Sequence, residues 1–254
     1  MATPPGLHVL DAAPEGHDGP LVVIVHGTMD RSSSFGRVAR RLADLHVVRY
    51  DRRGYGRSRP LGAAPLDRHV DDLVAIVADR PAVVFGHSIG GLVALAAAVR
   101  CPEAVRAVLA FEPPTPWVPW WPVPSPPPGD AGDEAEAFML RAVGDRIWQR
   151  LPSATRADRR AEGPALRADV ASVRTTPGWL PGDVTVPVTV GVGSETTWWH
   201  RRAADKLAAG LPHGEFVVVD GAQHGAHLSH PAALAELVRG LADSGRLGSG
   251  EVPR

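Results

Sequence analysis

The stretch Phe85-Gly86-His87-Ser88-Ile89-Gly90-Gly91 decides how this chain is read, because it centres a serine in Gly-x-Ser-x-Gly. An apolar run, Pro81-Ala82-Val83-Val84-Phe85, leads into it, and an alanine-rich stretch from Leu92 to Val99 leaves it. That order predicts strand, sharp turn and helix, the context in which the motif marks a nucleophile elbow. The turn is strained, and Gly86, Gly90 and Gly91 give the serine neighbours without a Cβ. Ser88 then stands at the carboxyl end of the strand, over a helix N-terminus. There the backbone N–H of Ile89 can face a developing oxyanion.

The 254 residues suffice for one sizeable α/β domain with its own core. With 27 basic and 28 acidic side chains the net charge is −1, so nothing points to nucleic acid or an anionic membrane as partner. The single cysteine, Cys101, allows no internal disulfide and reads as a small packing residue. Met1 to Gly6 lacks the basic start and apolar core of a signal peptide, and no segment approaches the length of a membrane span. The expected location is therefore cytoplasmic.

Strands and helices alternate along the chain. Leu21-Val22-Val23-Ile24-Val25 is a continuous apolar run ending at His26-Gly27, which predicts a buried strand and then a loop. Phe35 to Leu45 carries apolar residues at helical spacing, with Ser32 to Ser34 as candidate caps. His46 to Tyr50 predicts the next strand, Asp71 to Ala78 a helix, and Val105 to Phe111, Val186 to Val192 and Phe216 to Val219 further strands. Such alternation implies a mostly parallel, doubly wound sheet with ligands at the carboxyl ends of its strands.

The alternation stops between Glu112 and Val186. Residues 113 to 128 hold nine prolines and three tryptophans (Trp117, Trp120, Trp121), so no sheet strand can form there. A helical stretch follows from Glu134 to Arg150, then an arginine-rich segment with a weak helical pattern to about Arg174. This predicts a cap or lid insertion, residues 113–181, over a core made of residues 1–112 and 182–254. Trp148 is expected in the insertion's own small core. Trp117, Trp120 and Trp121 are expected to form an aromatic binding wall beside the serine.

His26-Gly27, the segment Asp51-Arg52-Arg53-Gly54-Tyr55-Gly56-Arg57-Ser58, the Ser88 motif and Gly221-Ala222-Gln223-His224 together resemble the landmarks of α/β-hydrolases, in their usual order. The resemblance runs from about Leu21 to Leu241 and is weakest in the insertion. It implies a second oxyanion N–H from the residue after His-Gly, here Thr28, beside that of Ile89. It also implies structural roles for His26 and His87.

Of the eleven histidines, His8, His17, His46, His69 and His213 sit in terminal, strand-edge or loop contexts and read as solvated. His224-Gly225-Ala226-His227-Leu228-Ser229-His230 differs, since it follows the last strand and precedes a helix that Ser229 could cap. The resemblance implies His224 as the general base, with His227 as the alternative. A metal site competes, but no carboxylate or cysteine accompanies these histidines in sequence, and their spacing of three matches no familiar zinc pattern. No metal is therefore expected.

In the resemblance the acid usually follows the strand that here is Val186 to Val192. That loop reads Gly193-Ser194-Glu195-Thr196, with Glu195 its only carboxylate. The strand after the Ser88 helix instead ends Ala110-Phe111-Glu112-Pro113-Pro114, which puts a glutamate on the same sheet edge as Ser88. This arrangement resembles the acid of some haloalkane dehalogenases and of the zearalenone-type lactonases. A salt bridge or helix cap is the plain alternative for Glu112. A carboxylate between apolar residues and two prolines needs a partner, however, and His224 is the natural one. Glu112 is favoured, with Glu195 the alternative acid.

A serine activated by histidine suits acyl transfer on a carboxylic ester or lactone, through an acyl-enzyme. Opening of an alkyl halide or epoxide in this fold uses a carboxylate nucleophile and is not expected. Perhydrolase, carbon–carbon hydrolase or lyase chemistry on the same triad is the alternative, since the triad alone does not set the reaction. A ligand-binding receptor with little turnover is another. Neither G-x-G-x-x-G nor a lysine-bearing P-loop occurs, so no cofactor is implied.

Overall fold

The computed structural model describes residues 4–16, 19–78, 80–122, 125–174 and 177–247. Its strands are β1 (Val9–Ala12), β2 (Leu21–Val25), β3 (His46–Tyr50), β4 (Ala82–His87), β5 (Val105–Phe111), β6 (Val188–Gly193) and β7 (Gly214–Val219). They form one seven-stranded sheet in the order β1-β3-β2-β4-β5-β6-β7, parallel throughout except for β1, which runs antiparallel to β3 at the edge. The helices are α1 (Gly36–Arg41), α2 (Leu66–Val77), α3 (Ile89–Arg100), α4 (Ala131–Val143), α5 (Asp145–Arg150), α6 (Ser153–Arg160), α7 (Gly163–Val173), α8 (Trp198–Gly210), α9 (Ala226–Ser229) and α10 (Pro231–Leu247).

The sheet is buried on both faces because β2 is apolar at every position, not at alternate ones, and β4 and β5 are nearly so. In β2, Leu21, Val23 and Val25 belong to one buried cluster that also holds Val70, Leu73 and Ile76 of α2, Val93 of α3 and Leu207 of α8. Val22 and Ile24, pointing the other way, belong to a second cluster with Val38 of α1 and Leu234, Val238 and Leu241 of α10. The period-two alternation of a strand thus feeds two helical layers. Each fully buried valine or leucine contributes about 1.5–3 kcal/mol of transfer free energy.

The helices α4 to α7 form a unit with a small core of its own, where Trp148 is buried with Ala135, Met139 and Leu166, and Met29 and Tyr55 reach it from the sheet side. Two buried carboxylates tie this unit to the loops at the carboxyl edge of the sheet. Asp169 of α7 accepts both terminal nitrogens of the fully buried Arg52 (3.0 and 2.8 Å), Tyr55 Oη (2.7 Å) and Thr28 Oγ1 (2.9 Å). Glu162 accepts Arg31 (2.8 Å) and the backbone N–H of Gly56 (2.8 Å).

Several local expectations are corrected. The helix foreseen for Phe35 to Leu45 is shorter, a 3-10 turn over Ser32–Phe35 and then α1. The serines do not cap it; the Ser32 hydroxyl and N–H both donate to Asp51 Oδ1 instead. The single helix foreseen for Glu134 to Arg150 breaks at Gly144, whose φ of 79° ends α4. Ser229 lies inside α9, with its hydroxyl 2.8 Å from Nδ1 of His230. His69 is not solvated; it is buried in α2, with Nε2 3.6 Å from Asp169. His46 is largely covered and lies 2.6 Å from Asp11, while His213 is exposed. His17 lies outside the described residues. No described helix is long and apolar enough to cross a membrane.

Candidate active site

Ser88 joins β4 to α3 with φ 54° and ψ −126°, a conformation an L-residue adopts only when its surroundings impose it. Those surroundings are backbone. The N–H of Ser88 donates to the carbonyl of Phe111 (2.9 Å), and its own carbonyl accepts from Gly91 (2.8 Å). A Cβ on Gly86 would collide with the carbonyl of Gly90, so only glycine lets the turn close. Ile89, directly after Ser88, opens α3 and is buried.

The loop after β2 passes over this turn. An added Cβ on Gly27 would lie 3.0 Å from Cβ of Ser88 and 3.1 Å from Nδ1 of His87, so the backbone here approaches the serine closely. Thr28 follows, its hydroxyl held by Asp169, and Met29 then takes a φ of 55°. His26 braces the loop from below. Its Nδ1 lies 2.7 Å from the carbonyl of Gly27, and its Nε2 accepts the N–H of Arg52 at 2.8 Å. Burial, and next the charge of Arg52, lower its pKa to about 4, so the ring is neutral.

Glu112 directly follows β5, the strand beside β4, and is fully buried with a φ of 48°. Its N–H is fixed by the carbonyl of Gly191 at 2.9 Å. One carboxylate oxygen, Oε1, accepts the N–H of Gly193 at 3.0 Å, and the other, Oε2, lies 2.7 Å from Nδ1 of His224. Burial alone would raise its pKa. The hydrogen bond and charge of His224, with the N–H of Gly193, outweigh this and hold the carboxyl below its ordinary value. With Glu112 ionised, Nδ1 of His224 carries a proton and donates it, and in the neutral ring Nε2 is then the acceptor.

His224 sits in the loop after β7, beside the residue that precedes Ser88. Its carbonyl accepts a hydrogen bond from Nε2 of His87 at 2.8 Å, and the two rings lie 4.7 Å apart. Glu195, the alternative acid, is exposed and is anchored through its N–H to the carbonyl of Ala222 at 2.9 Å. His227, the alternative base, is buried away from Glu112, with Nε2 3.3 Å from Asp30 and its ring stacked on Phe35 at 4.5 Å. The histidines that lack a carboxylate neighbour in sequence thus have them in space, Asp30 for His227 and Glu112 for His224.

Three residues near the site had not been singled out: Asp30, Asp169 and His200. His200, in the first turn of α8, stacks on His224 with centroids 4.9 Å apart, and its Nδ1 lies 2.8 Å from Thr197 Oγ1. Burial, then the charge of His224, lower its pKa to about 4. The signal for it was local: Trp198-Trp199-His200 opens the helix after β6, next to the loop where the acid was sought. Trp121 stands edge-on to His200 at 5.0 Å, and Trp120 lies 6.1 Å from Trp198, which is 57 % exposed. Trp117 is partly exposed.

A family described as the alpha/beta hydrolase family matches residues 22–237. The chain belongs to the alpha/beta hydrolase family. Over 102 residues it is 37% identical to the uncharacterized hydrolase YraK of Bacillus subtilis (strain 168), an alignment covering 37% of this chain and only 38% of that protein's length. It is 28% identical to the pimeloyl-[acyl-carrier protein] methyl ester esterase of Pectobacterium atrosepticum, over 91% of this chain and 97% of that one. The enol-lactonase from Burkholderia xenovorans LB400 shares the fold, with a TM-score of 0.70 at 19% identity, covering 93% of this chain and 96% of that one. This member of the hydrolase family thus resembles an esterase in sequence and shares its fold with a lactonase.

Proposed function

We propose that the protein is a serine hydrolase of carboxylic esters or lactones that works through an acyl-enzyme. Ser88 is the nucleophile, His224 the general base and Glu112 the acid that orients it. The observation that carries this reading is the 2.7 Å contact between the buried Glu112 carboxylate and Nδ1 of His224, at the end of the strand next to the one bearing Ser88.

In this reading Nε2 of His224 takes the Ser88 proton as Oγ attacks the carbonyl carbon. The charge left on the imidazole is balanced by Glu112. The tetrahedral oxyanion is held by the backbone N–H groups of Thr28, in the loop after β2, and Ile89, at the start of α3, both carried by the scaffold before substrate arrives. The imidazolium then protonates the leaving alkoxide. Water, activated by the same histidine, releases the acid. The segment 113–181 serves as a cap. Trp117, Trp120 and Trp121 form part of its inner wall, which favours an apolar or aromatic group on the acyl or alkoxy side.

The test is a panel of esters and lactones of graded size assayed with wild type and Ser88→Ala, beside labelling with a fluorophosphonate. One label per chain, lost in Ser88→Ala together with turnover, is the expected result. Labelling or turnover that survives in Ser88→Ala rejects the assignment.

A further inference from the structure

Three side chains from separate parts of the chain converge at the carboxyl edge of the sheet: Glu112 at the end of β5, His200 in α8 and His224 after β7. One ligand atom from each lies within 4.8 Å of the other two. Nδ1 of His224 and Nδ1 of His200 approach the same oxygen, Glu112 Oε2, at 2.7 and 3.8 Å. Two imidazoles and one glutamate are a donor set that zinc takes up in tetrahedral geometry with an open fourth position. Zinc ligands about 2.0–2.1 Å from the ion stand roughly 3.3 Å from one another in a tetrahedron. The two nitrogen–oxygen separations lie on either side of that figure, so one ring must withdraw and the other advance by about half an ångström each.

We propose that Glu112, His200 and His224 form an inhibitory site for Zn2+ or a similar divalent transition metal. The ion enters between the rings, bonds Nδ1 of both histidines and Oε2 of Glu112, and leaves its fourth position to water. Each ring offers the lone pair of Nδ1 and carries its single proton on Nε2, so the proton that Nδ1 of His224 donates to Glu112 leaves for solvent as Nε2 takes one up, and the Thr197 hydroxyl loses its contact with His200. Imidazole donors select zinc, copper or nickel over magnesium and calcium, which prefer all-oxygen sites. Entry is open from the His224 side, since that side chain is 43 % exposed, whereas His200 is 17 % exposed and Glu112 buried.

The second cluster of this kind, Asp30 with His87 and His227, is a poorer host. Its histidines are both buried, and Phe35 covers the ring of His227. At the Glu112 site a bound ion would hold His224 by the nitrogen that faces its acid, so Nε2 would already carry the ring's proton and could not take that of Ser88. The inhibition rests on the hydrolase reading; the binding does not.

The test titrates chelator-stripped protein with ZnCl2 by calorimetry, and in parallel follows fluorophosphonate labelling of Ser88 and ester turnover. One ion per chain is expected, with binding unchanged in Ser88→Ala and at least tenfold weaker in both His200→Phe and His200→Gln. Zinc should slow labelling and turnover of wild type, EDTA should restore them, and MgCl2 should do neither. Each variant is compared with its own metal-free rate, and its melting temperature shows that it is folded. Binding that is absent, that survives both His200 variants, or that is lost in Asp30→Asn instead overturns the site. Failure of metal-free wild type to label at Ser88 removes the hydrolase reading, and with it the inhibition, while the binding result stands by itself.

Discussion

Glu112 and His224 meet across the carboxyl edge of the sheet: Oε2 of the glutamate lies 2.7 Å from Nδ1 of the histidine, while Oε1 is held by the N–H of Gly193. The carboxylate is thereby fixed in direction before any substrate arrives. A glutamine at this position keeps an acceptor for Gly193 but cannot balance an imidazolium. Glu112→Gln is expected to leave the melting temperature within a few degrees of wild type and to cut turnover by on the order of 10³ or more. Glu195 is exposed, and Glu195→Gln should change turnover by less than about threefold. Steady-state kinetics of the two variants settle the matter. A mild Glu112→Gln beside a crippled Glu195→Gln would reassign the acid.

His224 is borne on a loop and adds little to the core, so His224→Ala should fold normally. Its turnover should fall by about 10³-fold or more, with fluorophosphonate labelling slowed to match. His227 packs on Phe35 and approaches Asp30 at 3.3 Å, so His227→Ala should act mainly on stability. If His227→Ala abolished labelling while His224→Ala left it intact, the base would be misassigned.

The strands were legible because short, mostly apolar runs bounded by polar residues have one good solution, a buried parallel sheet. Leu21–Val25, His46–Tyr50 and Val105–Phe111 occupy the ranges that their side chains indicate. The edge strand Val9–Ala12 was not legible, since only one flank of it pairs and its sequence, Val-Leu-Asp-Ala, has no strong alternation. The 2.7 Å Glu112–His224 contact followed from a burial argument: a carboxylate among apolar residues needs a partner. His200, Asp30 and Asp169 escaped because each meets its partner only through tertiary folding, across separations that no local pattern encodes. His69 was misread for the same reason. Charged residues crowd it in sequence (Asp67, Arg68, Asp71), but Asp169 approaches it from another helix.

Asp169 gives a test of how the 113–181 segment is attached. Arg52 is completely buried, and its two bonds to Asp169 are its only carboxylate contacts among the described residues. Asp169→Asn leaves that guanidinium uncompensated in a site closed to water. Removing one partner of a buried pair costs on the order of 3–5 kcal/mol. Chemical denaturation should show a loss of that size, against less than about 1 kcal/mol for Asp158→Asn, whose bond to Arg59 is at the surface. Equal losses in the two variants would show that Asp169 is not an anchor.

His26 supplies a pH dependence whose sign can be worked out. In the fold its Nε2 accepts the Arg52 N–H, and its other nitrogen donates to the Gly27 carbonyl; a second proton would leave the Arg52 N–H facing a like donor. Burial first, and then the positive charge of Arg52, bring its pKa from 6.5 down to about 4. A histidine depressed in the folded state stabilises the fold fully above its unfolded pKa. That contribution is lost as pH falls toward the folded value. The window therefore runs from about pH 6.5 down to about pH 4, and the contribution at stake is about 3 kcal/mol. His26→Gln, which does not titrate, should be less stable than wild type at pH 7. The gap between the two unfolding free energies should shrink by about that amount on going to pH 4. A gap that stays constant across this range would mean that His26 is not held neutral by the fold.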